Sequence, residues 1–502
     1  MNKMKRNYKQ IILLTLGLSV LNTSCNKYLE EEPDMRTQIN TVEKLSQLLV
    51  TAYPDRNYYT FAETASDNAE DKSAALAGHN NEPFISLYNW NVVQETGNGS
   101  PTEYWNACYR AVAVTNEALA AIEKENFGAA ADQYKGEALV ARAYSIFMLS
   151  IFFSNPYHIG GDNSGLGIPY PLKPETTTRP VYERGTVEST YAQIEKDLEQ
   201  GLSLLKGAKY EVPHYHFTQQ AAFAFATRFY LFKGNWDKAI QYASAVYPDG
   251  NFKGNIRQYV TDLNPRSYAE YRQEYTKASK SWNLLLANTY SVFQRGSGAG
   301  NARYSFGETV KNIYTGNTVY GAKLINKFGV YTAPNYTTNK FNELFYYTNF
   351  QAGTGYPYIM APLLTADEVL LNRAEAYVQK GSYDLALKDL NDFGTANIDA
   401  YNPTAHTLTI PKIKDYFQTN AGISNLSDKD AVIMAILEIK RIAFMQEGIR
   451  WMDILRHGLT VKHNFIEASG NETFQTLDKN DPRRVFQIPQ DAINTGIPAN
   501  PR

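Results

Sequence analysis

Cysteine is nearly absent, with only Cys25 and Cys108 in 502 residues. A disulfide framework is therefore excluded as the source of stability. Histidine is also sparse. His214 and His216 flank Tyr215, and an extended segment would turn both to one side, but no further His or Cys stands near enough to complete a metal site. No charge of one sign dominates. The formal net charge of −2 leaves no electrostatic footprint for nucleic acid. Apart from one short run near the start, nothing approaches the roughly 20 apolar residues of a membrane span. The Gly-rich stretch from Arg295 to Gly300 lacks the Lys-Ser/Thr of a phosphate loop and has Asn301 where a dinucleotide fingerprint needs its third glycine. Nucleophile-elbow and zincin motifs are missing as well. These absences assign no catalytic residue, no metal and no cofactor, although glycosidase carboxylates need proximity only in space.

The start of the chain carries Lys3, Lys5, Arg6 and Lys9, followed by the uncharged run from Ile11 to Leu21, 11 residues long. That is the length of a secretory signal core and too short to remain as an anchor. Ser24-Cys25 then resembles the end of a bacterial lipobox, with Asn22 where the stricter motif has Leu. The expectation is a signal peptide over 1–24, acylation at Cys25 and a polar tether over 25–40. Stable anchoring needs more than one acyl chain, which a multiply acylated cysteine supplies. Loss of the signal moves the formal charge from −2 to −6. Cys108, within a helical apolar pattern, is expected to be a small core residue.

Tyrosine is abundant, 37 against 24 Phe and 5 Trp. It offers a flat apolar face and a hydroxyl, which suits wet binding surfaces as well as helix contacts. Helical spacing appears over 41–53, from Trp105 to Ile122, from Glu137 to Phe153 (apolar nearly all round, hence buried) and from Thr186 to Leu205. One internal repeat stands out: YLFKGNWDKA from Tyr230 matches YVQKGSYDLA from Tyr377 in register. Each copy reads as a helix ended by glycine (Gly234, Gly381), a tight turn and a second helix whose Ala permits close approach, as in a tetratricopeptide-like hairpin. Long stretches at about 54–101, 247–360 and 394–428 lack helical periods, and their length implies function or structure of their own. The expected fold is mainly all-α: one domain over 41–502, with helical hairpins forming a scaffold that carries long irregular insertions.

In order and spacing, these pieces resemble the SusD/RagB family across nearly all of the chain after Cys25. The resemblance rests on Cys25-Asn-Lys-Tyr-Leu-Glu30, on Ser66-Asp67-Asn68, and on Trp105 with Tyr109, Asn116 and Leu119. It continues through Gly136-Glu137-Ala138 with Arg142-Ala143, the stretch Leu371–Ala386, and Glu438–Gly458, where Lys440 replaces one Arg of the pattern. It implies a right-handed superhelical scaffold and a lipoprotein on the outer membrane, facing the cell exterior. The implied role is to capture an oligosaccharide and deliver it to a SusC-like TonB-dependent transporter. Capture of a peptide by a RagB-like protein is the alternative within binding proteins, and a surface glycoside hydrolase is the alternative of another class. In the family, ligand residues come from the long loops, so the candidates here are Trp90, Trp282, Tyr290, Asp67, Asn68 and Arg295, although for each single aromatic a structural role is the commoner one. In the Glu438–Arg456 cluster, Glu438/Arg441 and Arg450/Asp453 are spaced to pair along helix surfaces, which points to structural ion pairs rather than catalysis.

Overall fold

The computed structural model describes residues 38–177, 180–292, 300–338 and 340–502. The signal, Cys25, the tether up to residue 37 and Arg295 lie outside these residues.

Helices dominate, and they pack in succession. Pro101–Glu125 lies against Asp132–Phe153, which lies against Val187–Leu204. Ala366–Gln379 joins Trp236–Val246 on one side to Asp428–Ala443 on the other. Local chemistry fixes the starts. Ser100 accepts from the Glu103 amide with Pro101 in the first turn, and Thr186 and Ser189 form a reciprocal capping box. Against the expectation that no segment after the start approaches a membrane span, Gly128–Phe153 is long and apolar enough by composition, yet it is buried inside the protein. The two charges it hides are both held: Arg142 by Asp197 at 2.7 Å, Glu137 by Tyr53 at 2.5 Å.

The internal repeat is a structural repeat. In Gln219–Lys233/Trp236–Val246, Gly234 sits at φ 77° and the Asn235 amide donates to Tyr230 O at 3.0 Å. In Ala366–Gln379/Tyr383–Asn397, Gly381 sits at φ 74° and the Ser382 amide donates to Tyr377 O at 2.9 Å. Both turns thus use a left-handed glycine that side-chain-bearing residues rarely match. Ala239 and Ala386 are fully buried where the paired helices touch.

The insertions are not irregular throughout. Residues 394–428 contain Ile410–Ala421, capped by Thr409 and burying Ile413 and Phe417 on one face. That two-residue stripe is too short to register as a period. The stretch 247–360 supplies most of a three-stranded antiparallel sheet, ordered Asn283–Tyr290, Thr354–Thr365, Leu344–Asn349. Its register pairs Tyr290 with Tyr358, and Tyr346 with Tyr356.

Candidate ligand-binding cleft

A cleft of about 1210 Å³ opens between the helical scaffold and this sheet. One wall comes from Val42–Leu49 and the segment after it (Val50, Tyr53, Asp55, Arg56), and the floor from Ala107, Arg110, Ala111 and Val114 of the long helix Pro101–Glu125. The loop with Tyr210, Tyr215 and His216 forms a third side, and the sheet contributes Asn288, Tyr290, Tyr356 and Met360. The volume slightly exceeds the usual range for small-molecule pockets. It is open at one side and rich in tyrosine.

Beneath it the polar groups are ordered. Glu137 Oε1 accepts from the Tyr53 hydroxyl at 2.5 Å and lies 2.8 Å from His216 Nδ1. The Tyr53 hydroxyl also accepts from the Phe217 amide at 2.8 Å, which ties the wall to the loop. Burial first, and the Glu137 charge second, push the Tyr53 hydroxyl well above its ordinary range, so it stays a proton donor. Tyr210 stacks on His216 with ring centres 4.4 Å apart. On the same wall as Tyr53, Asp55 is gripped at 2.6 Å by Arg110 from the floor, and Arg56 bridges Asp55 and Glu103 while its guanidinium covers the Tyr290 ring at 5.2 Å. The arrangement offers flat rings, amide and guanidinium donors and the carboxylates of Asp55 and Glu211, which is chemistry for holding polyhydroxylated rings. Asp55 is engaged by two arginines, Arg56 and Arg110.

Of the ligand candidates among the described residues, Tyr290 alone lines this cleft, and His216 of the histidine pair lines it too, with Tyr215 beside it. Trp90 does not: it is 3% exposed, donates Nε1–H to Ala65 O at 2.9 Å and stacks on His463 at 4.4 Å. Trp282 is likewise 3% exposed and donates to Tyr275 O at 3.2 Å. Both indoles have spent face and N–H on the protein, so neither can stack on a ligand. Asp67 is held by Arg450 through two bonds of 2.8 Å. Burial raises its carboxyl, but Arg450 and Arg441 outweigh that and hold it well below the usual range. Asn68 donates to Glu63 at 3.0 Å and accepts from Arg441 at 2.9 Å. These two residues fasten the loop to the C-terminal helices rather than to a ligand.

The same motif corrects the expected pairing within Glu438–Arg456. Arg441 and Arg450 both turn to the Asp67 loop, while Asp453 receives Lys440 at 2.6 Å and Glu438 receives Tyr416 and the Val319 amide. Most of the ion pairs run between elements, while Arg456 and Asp453, 3.3 Å apart, pair along one helix. His214 and His216 separate as well, His214 bonding to Asn283 O and His216 to Glu137. Cys108 is buried, and burial pushes its thiol far above the reactive range. Among the described residues no group of three His, Cys, Asp or Glu could hold a metal ion.

Sequence reading missed Tyr53, Arg56, Arg110, Tyr210 and Tyr356. One signal was present. Ala107, Arg110, Ala111 and Val114 recur at three- and four-residue steps, a second face on the helix whose buried stripe carries Trp105, Cys108 and Val112.

The helical-hairpin scaffold and the sheet together frame a wide, tyrosine-lined cleft. Residues 226–496 match the profile described as the SusD family, and residues 27–231 match a SusD-like profile described as starch-binding, associating with the outer membrane. The chain belongs to the SusD family. It is 22% identical to a SusD-like protein of Formosa agariphila, over 91% of this chain and 92% of that one. A solved putative sugar binding protein of Bacteroides vulgatus superposes with TM-score 0.66 at 19% identity, covering 93% of this chain and 99% of the other. A SusD superfamily structure from Bacteroides thetaiotaomicron gives 0.61 at 22% identity, covering 91% and 98%.

Proposed function

We propose that the protein captures an oligosaccharide outside the outer membrane, in the cleft between scaffold and sheet, and hands it to a SusC-like TonB-dependent transporter. The observation that carries this reading is the cleft itself, about 1210 Å³ with six tyrosines in its lining. Membership of a family with a starch-binding, outer-membrane-associated profile supports it, as does the likeness to a sugar binding protein. The role is binding rather than catalysis, and acylation at Cys25 would hold the chain at the surface. Purified protein run through gels containing different glycans tests the reading. Retarded migration without release of reducing ends is the expected result. Released ends would make the protein a hydrolase, and co-purified peptide with no glycan retardation would make it a peptide-capturing protein. The anchor has a separate test: Cys25→Ala should leave the membrane fraction or remain uncleaved. A mature-sized mutant chain still in the outer membrane would rule out the lipid.

A further inference from the structure

The sheet that walls the cleft continues beyond it. Past Met360 the strands Leu344–Asn349 and Thr354–Thr365 leave the body as a two-stranded ribbon. Strand register sets which side chains share a face, because partners across an antiparallel pair point the same way. Tyr290 pairs with Tyr358, Leu344 with Tyr358, and Tyr346 with Tyr356, so these residues lie on the face that carries Asn288 and Met360 in the cleft. Their rings form a continuous row. Tyr290 and Tyr356 are nearly parallel, with centres 6.3 Å apart, and Tyr356 and Tyr346 are 5.2 Å apart. Tyr290 and Tyr356 line the cleft and Tyr346 lies beyond it, with Tyr356 39% and Tyr346 53% exposed.

The opposite face of the ribbon differs. Phe345 and Tyr347 touch at 4.9 Å, and Tyr347 touches Phe350, at the turn, at 5.3 Å. An aromatic edge strand exposed to water invites aggregation, and contiguous exposed apolar surface usually marks a binding site. The two faces suit different contacts. The cleft-side row is all tyrosine, with apolar ring faces flanked by hydroxyls, which matches alternating C–H and O–H groups of sugar rings. The other face is mostly phenylalanine.

We propose that the tyrosine face of this ribbon is an outer ligand subsite, taking sugar rings of a linear oligosaccharide beyond those held in the cleft. The protein thereby favours long chains over short ones. The proposal rests on the glycan-capture reading, and it commits the ribbon's cleft side to saccharide rather than to a protein partner, because only that side is continuous with the cleft.

The test uses the purified full chain and a graded series of neutral and acidic oligosaccharides from disaccharide to octasaccharide, with affinity measured by calorimetry. Tyr346→Ala is the outer variant, Tyr290→Ala the inner one, and Phe345→Ser with Tyr347→Ser controls for the other face. Tyr346 is half-exposed, so its truncation leaves folding intact, and matching melting curves verify this. Tyr346→Ala should weaken the longest chains about fivefold, the size of one aromatic contact, and leave the shortest unchanged. Tyr290→Ala should weaken every length. Equal affinity of Tyr346→Ala and parent for all lengths overturns the outer subsite while leaving the cleft reading intact. Loss confined to the Phe345/Tyr347 control overturns it too, by moving the contact to the other face. If the ribbon variants keep every glycan affinity but lose co-purification with an outer-membrane protein, the ribbon is a protein-docking surface and the proposal is wrong. A parent that binds none of the series overturns the glycan reading and the subsite together.

Discussion

The helical hairpin Gln219–Val246 and the β-ribbon Leu344–Thr365 are both crowded with aromatic side chains, and they use them in opposite ways. In the first, Phe225, Phe229 and Tyr230 are fully buried in edge and tilted contacts, and the Tyr230 hydroxyl reaches Glu195 and Glu199. In the second, Tyr346, Tyr347 and Phe350 stand in solvent, Phe350 at 80% exposure. Aromatic content therefore says little about role. What decides is whether a neighbouring element covers the ring. Trp90 and Trp282 belong with the first region although their surrounding sequence looks like the second.

That distinction can be broken most visibly by removing the buried rings. Trp90→Ala and Trp282→Ala should each cost about 3–5 kcal/mol of stability, as a fully packed indole does, and denaturant unfolding measures it. At temperatures where these variants remain folded, their ligand affinity should equal the parent's. Parent-like unfolding would place the indoles at the surface instead.

The buried ionic core sharpens the comparison through pH. Burial pushes Glu63 up to about 7 and Asp367 up to about 6. Burial also raises Glu447, but Arg257 and Lys340, bonded to it at 2.9 and 2.8 Å, reverse the sign and leave it at about 2. The raised carboxyls contribute stability that is complete below their unfolded values and is lost as pH rises through 6 to 7. The depressed Glu447 contributes stability present above its unfolded value and lost as pH falls towards 2. Each is worth about 3 kcal/mol by linkage. Melting temperature should therefore peak in mildly acidic buffer, and Glu63→Gln should flatten the decline on the neutral side. A melting temperature rising steadily from acid to neutral pH would contradict these assignments. The ribbon, with no such network, should contribute nothing to the profile.

Two glycines give a smaller contrast. Gly381 needs its left-handed φ but has open space around it, so Gly381→Ala should cost about 1 kcal/mol. At Gly448, also at φ 74°, an added Cβ would lie 2.6 Å from the Tyr58 ring, and its amide donates to Glu63 at 2.6 Å. Overpacking adds about 1–3 kcal/mol there. Equal losses in thermal melts would show that the backbone angle alone matters.

Much of the scaffold was legible in the sequence because helices announce themselves locally. The repeat around Gly234 and Gly381 carried its own turn chemistry, and the stripe from Trp105 to Ile122 fixed the long helix. The cleft was less legible, since it is assembled from Arg56, Arg110, Tyr210 and Tyr356, which share no sequence neighbourhood. The loop from Asp67 to Trp90 looked like a sugar site because Asp, Asn and Trp are the residues such sites use. Only tertiary structure reveals that Arg450, Glu63 and His463 already occupy them. The insertion at 247–360 read as irregular because its strands alternate weakly, with tyrosine serving on both the covered and the open face.

The central claim is that ligand is held by the tyrosines of the cleft wall and not by the buried indoles. The most direct measurement is calorimetric titration of the tightest-binding glycan into Tyr290→Ala/Tyr356→Ala, beside Trp90→Ala. The double variant should melt within about 0.5 kcal/mol of the parent, as surface changes do, yet lose about 1–3 kcal/mol of binding, the sum of two aromatic contacts. Trp90→Ala should show the reverse. Parent-like affinity in the tyrosine variant, with lost affinity in a folded Trp90→Ala, would place the site at the Asp67–Trp90 loop and contradict the account.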